Sequence, residues 1–290
     1  MRSTALITLL LCGVMAPNLH AWDHPSHMTS AAIAFAEIEQ ARPELIEKIG
    51  LIFMRHADTA AFWVAAGDAK GAERARLMFI EGARWPDDNK WTIHDRPTWH
   101  TARWAIVAAD APPEAKAAAE ARKGRSTGQA IEALVLNHAV LSSTESNSTE
   151  RAVALSWLLH LVGDIHQPLH VSDQFSAKFP AGNGAGTQEY VADPLRDSAI
   201  PLHMLWDSNA FRSTKMEDVD RNAQALMEEF PRSEYPELTA LEVPVDFEGW
   251  ARESHQVAVD FAYGYGIDTV KDPDAGLDPD KAVRKMVLFV

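Results

Sequence analysis

The chain has almost no cysteine. Its single cysteine, Cys12, lies in an apolar run near the start, so residues 22–290 contain no thiol. That absence excludes a disulfide, a cysteine nucleophile and a thiolate metal ligand from this part of the chain. Chemistry in it must rest on other side chains.

Long apolar runs are missing as well. The apolar run over residues 5–15 is too short to span a membrane. It follows Arg2 and precedes Ala21, a small residue of the kind that signal peptidase requires. We interpret residues 1–21 as a signal peptide and residues 22–290 as a single domain that begins at Trp22. An exported chain without disulfides predicts a periplasmic or extracellular protein with no stable membrane association.

Positive charge is scarce. The chain has 27 Lys and Arg against 41 Asp and Glu, a formal net charge of -14. Nucleic-acid binding depends on neutralising phosphates with Lys and Arg, so such a protein normally repels nucleic acids. If the substrate is a phosphate ester, a bound metal must supply the local positive charge.

Alternating strand patterns are nearly absent, and the best candidate, residues 241–245, is short. Helical periodicity dominates and is broken by Pro and Gly clusters. The pattern predicts a single-domain, all-α helical bundle, with no protein partner implied and a monomeric state. The predicted helices cover residues 27–41, 44–56, 69–84, 113–124, 127–142, 148–166, 201–211, 216–229 and 246–265.

Histidine and aspartate recur four residues apart. His160 with Asp164 forms one such pair, His203 with Asp207 forms another, and His170 follows the first. Residues four apart share one face of a helix, so each pair is able to reach one metal ion. These nitrogen and oxygen ligands are of the kind that Zn²⁺ accepts. A single pair is more often a structural hydrogen bond, but the two pairs together with His170 indicate metal binding.

The first pair lies on the predicted helix 148–166. Asn147 is a plausible N-cap, and Glu150 three residues later completes a capping-box pattern. Trp157 lies on the apolar stripe that continues to His160 and Asp164, so the pair is expected to point into the bundle.

With these pairs in place, the chain resembles the trinuclear-zinc, single-strand-specific nucleases of fungi, plants and bacteria, also called 3′-nucleotidases. The resemblance runs from Trp22 to about Gly264. Its motifs are an N-terminal Trp, a His five residues later, Trp-x-Asp, a single His, and two His/Asp motifs. The matching positions are Trp22, His27, Asp87, His100, His160, Asp164, His170, His203 and Asp207.

The resemblance implies three zinc ions per chain. One would be held by Asp87, His100, His160 and Asp164. A second, nearby, would be held by the free amine and carbonyl of Trp22, by His27, and by Asp164 as a bridging ligand. The third would be held by His170, His203 and Asp207.

The resemblance also implies an activity. Proteins of this family are phosphodiesterases that cleave single-stranded DNA and RNA endonucleolytically to 5′-phosphates, and they act on 3′-nucleotides. Attack would come from a water activated by the paired zinc ions, with Asp164 as the catalytic bridging carboxylate. Lys90 stands three residues after Asp87, where fungal relatives place a basic residue near substrate phosphate, although a surface lysine fits almost as well.

Two other functions fit part of the pattern. Zinc-dependent phospholipase C shares this fold and the first His/Asp motif, but its second pair ends in Glu, whereas this chain has Asp207. A non-catalytic zinc-binding module also fits the ligands. The nuclease is the preferred interpretation.

Several neighbours compete with the chosen ligands. The family spacing favours His27 over His24. Asp88, the competitor of Asp87, is predicted to be an outer-shell or surface residue, and His94, the competitor of His100, a loop residue. His166 does not share the helix face of His160 and Asp164, so it is predicted to be an outer-shell or exposed residue. The remaining histidines of residues 22–290 are His56, His138 and His255, which are predicted to be core or surface residues.

The chain departs from the family pattern around the expected base pocket. Thr101 and Ala102 follow His100 where relatives often carry larger side chains that help to hold a base. The loop 172–190 replaces a compact Gly-Gly-Asn segment. Asn183 either corresponds to the Asn of that segment or simply forms a turn.

Overall fold

The computed structural model describes residues 22–192, 199–208, 211–235 and 245–263. The predicted signal peptide and most of the expected strand at 241–245 lie outside these ranges. The α-helices of the described part are α1 His24–Ala41, α2 Ile46–Phe53, α3 Thr59–Ala66, α4 Gly71–Asp88, α5 Pro113–Glu120, α6 Ala130–Ser142, α7 Ser148–His166, α8 Leu202–Ser208, α9 Met216–Glu229 and α10 Phe247–Val257.

Helix α7 is the centre of the bundle and packs against α1, α2, α4, α6 and α10. Trp157, Leu161 and Ile165 form a stripe of buried side chains in the main hydrophobic core. Burying a side chain of this size contributes about 1.5–3 kcal/mol. His160 and Asp164 lie on the neighbouring stripe and are themselves completely buried. The helix therefore holds its polar pair inside the protein by packing on both sides.

The two ends of α7 follow from local sequence. Asn147 accepts hydrogen bonds from the Thr149 and Glu150 amides, both at 3.0 Å, and Glu150 accepts one from the Asn147 amide at 2.9 Å. This confirms the predicted capping box. The helix ends at His166 because Gln167 precedes Pro168, and the residue before a proline avoids the helical conformation. A short 3₁₀ turn, Pro168–Val171, follows.

The strands of the described residues are few and short, as the sequence predicted, but they form two pairs. Strand β1 (Trp104–Val107) pairs in parallel with β2 (Ser172–Phe175), and β3 (Tyr190–Ala192) pairs antiparallel with β4 (Ala199–Pro201). All four residues of β2 are buried although three of them are polar, so no apolar–polar alternation marks it in the sequence. Part of the loop 172–190 is therefore regular structure.

The parallel pair brings two distant candidate ligands together. His100 lies four residues before β1, and His170 lies two residues before β2, whose Ser172 is in register with Trp104. The amide of Ala102 extends the pairing by donating to the carbonyl oxygen of His170 at 3.0 Å. This long-range pairing positions His100 against the end of α7.

The structure corrects several of the helix predictions. Helix α4 continues to Asp88, past the predicted end at residue 84, and contains Pro86 in its last turn. A proline there removes one helical hydrogen bond, close to the point where the helix ends. Helix α3 was not predicted, because its run of apolar residues shows no periodicity. The predicted helix 246–265 appears as α10 followed by a π-helical turn, Ala258–Ala262. No helix in the described ranges has both the length and the apolar character needed to cross a bilayer.

Candidate metal centre

Every predicted His and Asp ligand lies in one of three groups, in each of which ligand atoms lie within 4.8 Å of one another. The first group is His27, Asp87 and His160, the second is His100, His160 and Asp164, and the third is His170, His203 and Asp207. His160 belongs to two of them, so the first two groups are contiguous.

Asp164 connects the side chains of the first two groups. Its Oδ2 lies 3.0 Å from Nδ1 of His100 and 3.2 Å from Nε2 of His160. Its Oδ1 faces the other way and lies 3.4 Å from Nε2 of His27. The two carboxylate oxygens thus face different histidines, which is the arrangement that a bridging carboxylate requires.

Asp87 is brought to the same place by the last turn of α4. Its Oδ1 lies 3.9 Å from Nε2 of His160 and 4.0 Å from Nδ1 of His100. Nζ of Lys90 lies 3.4 Å from the same oxygen. The side chain of Lys90, which is 26% exposed, therefore lies at the edge of the first group.

The third group forms where α8 meets the turn after α7. Nε2 of His170 lies 3.4 Å from Oδ1 of Asp207, and Nε2 of His203 lies 3.3 Å from Oδ2. Gln167 donates a hydrogen bond of 2.6 Å from Nε2 to Asp207 Oδ1 and so orients that carboxylate. Sequence reasoning gave Gln167 no role, although its place directly before Pro168 and between two ligands was a usable signal.

Backbone carbonyls set the tautomers of three histidines. Nδ1 of His160 lies 2.8 Å from the carbonyl oxygen of Ala83. Nδ1 of His170 lies 2.9 Å from that of His100, and Nδ1 of His203 lies 2.7 Å from that of Ala185. A carbonyl oxygen only accepts, so each Nδ1 carries a hydrogen and each Nε2 faces a carboxylate, where it would offer its lone pair to a metal ion bound between them. Metal-binding histidines are oriented in this way.

The residues present fit zinc. Buried polar atoms without a hydrogen-bond partner concentrate here: both ring nitrogens of His27, both carboxylate oxygens of Asp87, Oδ1 of Asp164 and Nε2 of His170. An unsatisfied buried polar atom costs about 1–3 kcal/mol, and coordination to a cation removes that cost. Nitrogen and oxygen donors without sulfur are suitable for Zn²⁺.

The electrostatics of the first two groups attract positive charge. Burial opposes a charge on His160, but Asp164 and Asp87 raise the pKa of its imidazole to about 9. Burial lowers the pKa of His27 to about 4, even though Asp164 opposes that shift. Burial also opposes ionisation of Asp164, yet His160 and His170 hold the pKa of its carboxyl well below the usual range. Protons and metal cations would therefore compete for the same nitrogen and oxygen atoms.

Trp22 lies beside the first groups. It is 4% exposed, and its ring centroid is 6.0 Å from that of His27. The amide of the next residue, Asp23, donates to the carbonyl oxygen of Asp207 at 3.3 Å. Gly163 makes the close approach possible, because a Cβ there would lie 2.9 Å from Nδ1 of His27 and 3.2 Å from Cε3 of Trp22. The requirement for Gly163 was not recognised from the sequence.

The competing residues lie outside the three groups. Asp88 pairs with Arg84 at 2.9 Å and with His24 at 3.5 Å, and His94 packs on Trp85 with ring centroids 5.2 Å apart. His166 is buried rather than exposed, with Nδ1 2.6 Å from the Val162 oxygen of its own helix. The other histidines are His56, which is buried, His138, which is exposed, and His255, which is half-buried.

Asn183 supports a loop instead of facing the centre. It is fully buried, and its Oδ1 accepts hydrogen bonds from the amides of Gln174 at 3.2 Å and Gly186 at 3.0 Å. Its Nδ2 donates to Glu189 and to the hydroxyl of Tyr263, both at 3.1 Å. The same loop presents the carbonyl of Ala185 to His203, so the turn-forming interpretation of Asn183 is the better one.

Comparison with known proteins identifies the family. The model of the S1/P1 nuclease family matches residues 22–280. The chain belongs to the S1/P1 nuclease family. Nuclease S1 of Aspergillus oryzae is 30% identical over 127 residues, which cover 44% of this chain and 40% of that protein. The chain thus spans about 40% of the length of this curated relative. Family membership confirms the resemblance seen in the motifs and the prediction of an all-α fold.

Proposed function

We propose that this S1/P1-family chain is a zinc-dependent phosphodiesterase. It would cleave single-stranded DNA and RNA endonucleolytically, leave 5′-phosphates, and also hydrolyse 3′-nucleotides. The observation that supports this most is Asp164, whose two oxygens face His27 on one side and His100 and His160 on the other.

Three zinc ions would be held by the ligands that the family pattern suggests. Asp87, His100, His160 and Asp164 would hold one, and Trp22, His27 and Asp164 a second. The third would be held by His170, His203 and Asp207. When bound, zinc lowers the pKa of a coordinated water and offsets the charge of a phosphate. This positive charge is needed because the chain has a net charge of -14.

The protein's own side chains orient the site. Carbonyl contacts orient the rings of His160, His170 and His203 so that Nε2 of each faces a carboxylate. Lys90, held at the edge by Asp87, would contact a substrate phosphate through its ammonium group. No nucleophilic side chain is required, which agrees with the absence of cysteine from residues 22–290.

Zinc-loaded protein incubated with single-stranded DNA, RNA and a 3′-nucleotide tests this proposal. We expect cleavage of all three, with 5′-phosphate ends on the products of the polymers, and loss of cleavage after chelation that returns with added zinc. Phosphatidylcholine is the discriminating substrate. Its hydrolysis without nucleic-acid cleavage would identify a phospholipase C, and activity on none of the four would identify a zinc-binding module.

The location of the protein follows from the same proposal. Residues 1–21 would be removed on export, and residues 22–290 would act as one monomeric domain in the periplasm or outside the cell. Processing at that point would free the α-amine of Trp22, which becomes a ligand only when no residue precedes it. Mass spectrometry of the exported protein would identify its first residue.

A further inference from the structure

The loop over residues 89–99 connects α4 to His100 and exposes two large apolar side chains. Trp91 is 90% exposed and Ile93 is 84% exposed. Trp91 also has a φ of 68°, in the left-handed region that disfavours residues with a Cβ. Because the Trp91 ring is not buried and its backbone is strained, this side chain makes no evident contribution to the stability of the fold.

Hydrogen bonds within the loop impose this conformation. Asp95 accepts from the Trp91 amide at 2.8 Å, and Arg96 donates to the carbonyl oxygens of Ile93 at 3.0 Å and Asp95 at 2.7 Å. Asn89 anchors the start of the loop by donating to the carbonyl oxygen of Trp85 at 2.9 Å. The ring of Trp91 is thus held outward by a braced loop. Strain of this kind persists where surrounding structure enforces it, most often at functional sites.

The loop begins at the metal centre. Lys90, directly before Trp91, has its ammonium 3.4 Å from the carboxylate of Asp87. Arg96 adds a second cation and lies 5.7 Å from the ring of Trp99, next to His100. Lys90 and Arg96 place two cations in the same loop as the exposed ring. In a chain of net charge -14, this combination matches a ligand that carries both phosphates and flat faces.

We propose that Trp91 is a stacking platform for an unpaired base of the single-stranded substrate, next to the phosphate held at the metal centre. This rests on the proposed nuclease function and adds a specificity-determining residue to it. Every base offers a flat face, so such stacking tolerates any sequence. Bases within a duplex are already stacked on one another, so the platform would favour single strands.

The positions directly after His100 provide no alternative ring. Ala102 is completely buried, and its amide is bonded to the His170 carbonyl. The carbonyl of Thr101 accepts a hydrogen bond from the Ala130 amide at 3.1 Å. Trp91 therefore presents the aromatic surface that these two positions lack.

The test compares two single-stranded oligonucleotides of equal length, one normal and one with abasic sugars beside the scissile phosphate. For Trp91→Ala on the normal strand we expect KM to rise about tenfold with kcat within about twofold. On the abasic strand the variant and the wild type should have the same KM. Trp91→Phe keeps a ring and should restore most of the affinity for the normal strand.

Two further variants separate binding from folding. Trp91→Gly suits the positive φ, so it should keep or raise the melting temperature while it raises KM like Trp91→Ala. Trp63, 44% exposed on α3 and contacted by Arg74, provides a matched control, and Trp63→Ala should leave KM unchanged. Zinc content should equal that of the wild type in all four variants.

The outcomes distinguish this inference from the function on which it rests. If the wild type cleaves neither strand, the proposed function fails and the platform fails with it. Only the platform is overturned if the wild type cleaves the normal strand and Trp91→Ala has the same KM for it. The same holds if the KM of Trp91→Ala rises as much on the abasic strand as on the normal strand. It is also overturned if Trp91→Ala abolishes binding to phosphatidylglycerol vesicles and leaves oligonucleotide kinetics intact, since Trp91 would then contact membranes.

Discussion

At the scale of single residues, the carboxylate of Asp164 is the central candidate ligand. It is completely buried and lies within 3.4 Å of ring nitrogens from His27, His100 and His160. The pairing of His160 with Asp164 was predictable because four residues make about one helical turn. The approach of His27 and His100 was predictable only through the family resemblance, because nothing local in the sequence links them.

Asp164→Asn keeps the size of the side chain but removes its negative charge. We expect the variant to lose at least one zinc and to cleave single-stranded DNA several orders of magnitude more slowly, because the paired ions share this carboxylate. Metal analysis and cleavage assays measure both effects. Asp88→Asn and His166→Ala, neighbours outside the three groups, should keep their full metal content. Wild-type cleavage by Asp164→Asn would show that the ligand assignment is wrong.

A second prediction at this scale concerns the α-amine of Trp22. Its α-amine is free to bind metal only when no residue precedes it. A protein with one extra residue before Trp22 should lose a zinc and most of its activity, whereas the correctly processed protein should retain both. Mass spectrometry must confirm the extra residue in the sample assayed. Full zinc content in the extended protein would remove Trp22 from the site.

At the scale of elements, the loop over residues 182–189 shows how backbone conformation orients a candidate metal ligand. Gly182, Gly184 and Gly186 have φ values of 98°, 64° and 81°, and Ala185 between them has 61°. Glycine adopts such values without strain, which is why a sequence rich in Gly folds here. One result of this backbone is that the carbonyl oxygen of Ala185 lies 2.7 Å from Nδ1 of His203.

Asn183→Ala should therefore act at a distance on the third group. The change removes the oxygen that accepts from the buried amides of Gln174 and Gly186, at about 1–3 kcal/mol for each group left unsatisfied. We expect a lower melting temperature and partial loss of one zinc, measured by calorimetry and metal analysis. Lys178→Ala, an exposed change in the preceding segment, should alter neither. If Asn183→Ala bound zinc as tightly as the wild type, the loop would have no role in positioning His203.

At the scale of the whole molecule, the three groups join segments that are far apart in the chain. Their members come from α1, α4, α7, α8 and the segments that contain His100 and His170. Bound metal would act as a set of cross-links in a protein without disulfides. Metal that binds only the native state adds stability by mass action.

Removal of metal should therefore lower the melting temperature by several degrees or more. Calorimetry with and without a chelator measures this, and added zinc should reverse it. Acid should have the same effect, because protonated histidines do not bind zinc. An unchanged melting curve after proven zinc removal would contradict the cross-linking role.

A separate pH effect comes from Glu81 on α4, away from the three groups. Burial raises the pKa of Glu81 to about 7, and Asp88 and Asp58 add to that rise. The folded protein thus holds this proton more tightly than the unfolded chain, so stability is lost as pH rises towards 7. Glu81→Gln should raise the melting temperature at pH 8 by about 2 °C or more and leave it unchanged near pH 4.5. Glu73 has its pKa lowered by Arg76, so Glu73→Gln should lower the melting temperature at pH 8.

The sequence by itself determined what depends on neighbours along the chain. The capping box at Asn147, the stop at Pro168 and the two His/Asp pairs all follow from spacings of a few residues. The full set of candidate ligands came from the family pattern, and the structure brings all of its His and Asp members together. Their role as zinc ligands remains a prediction.

Only the tertiary structure decided how those residues are oriented. The carbonyl that sets the tautomer of His160 belongs to Ala83, 77 residues earlier, and the parallel pairing of β1 with β2 joins segments just as remote. Neither β2 nor the braced loop that exposes Trp91 has a periodic signal. Backbone carbonyls look the same at every residue, so which of them reaches a histidine depends on how the chain packs and cannot be read from side-chain type.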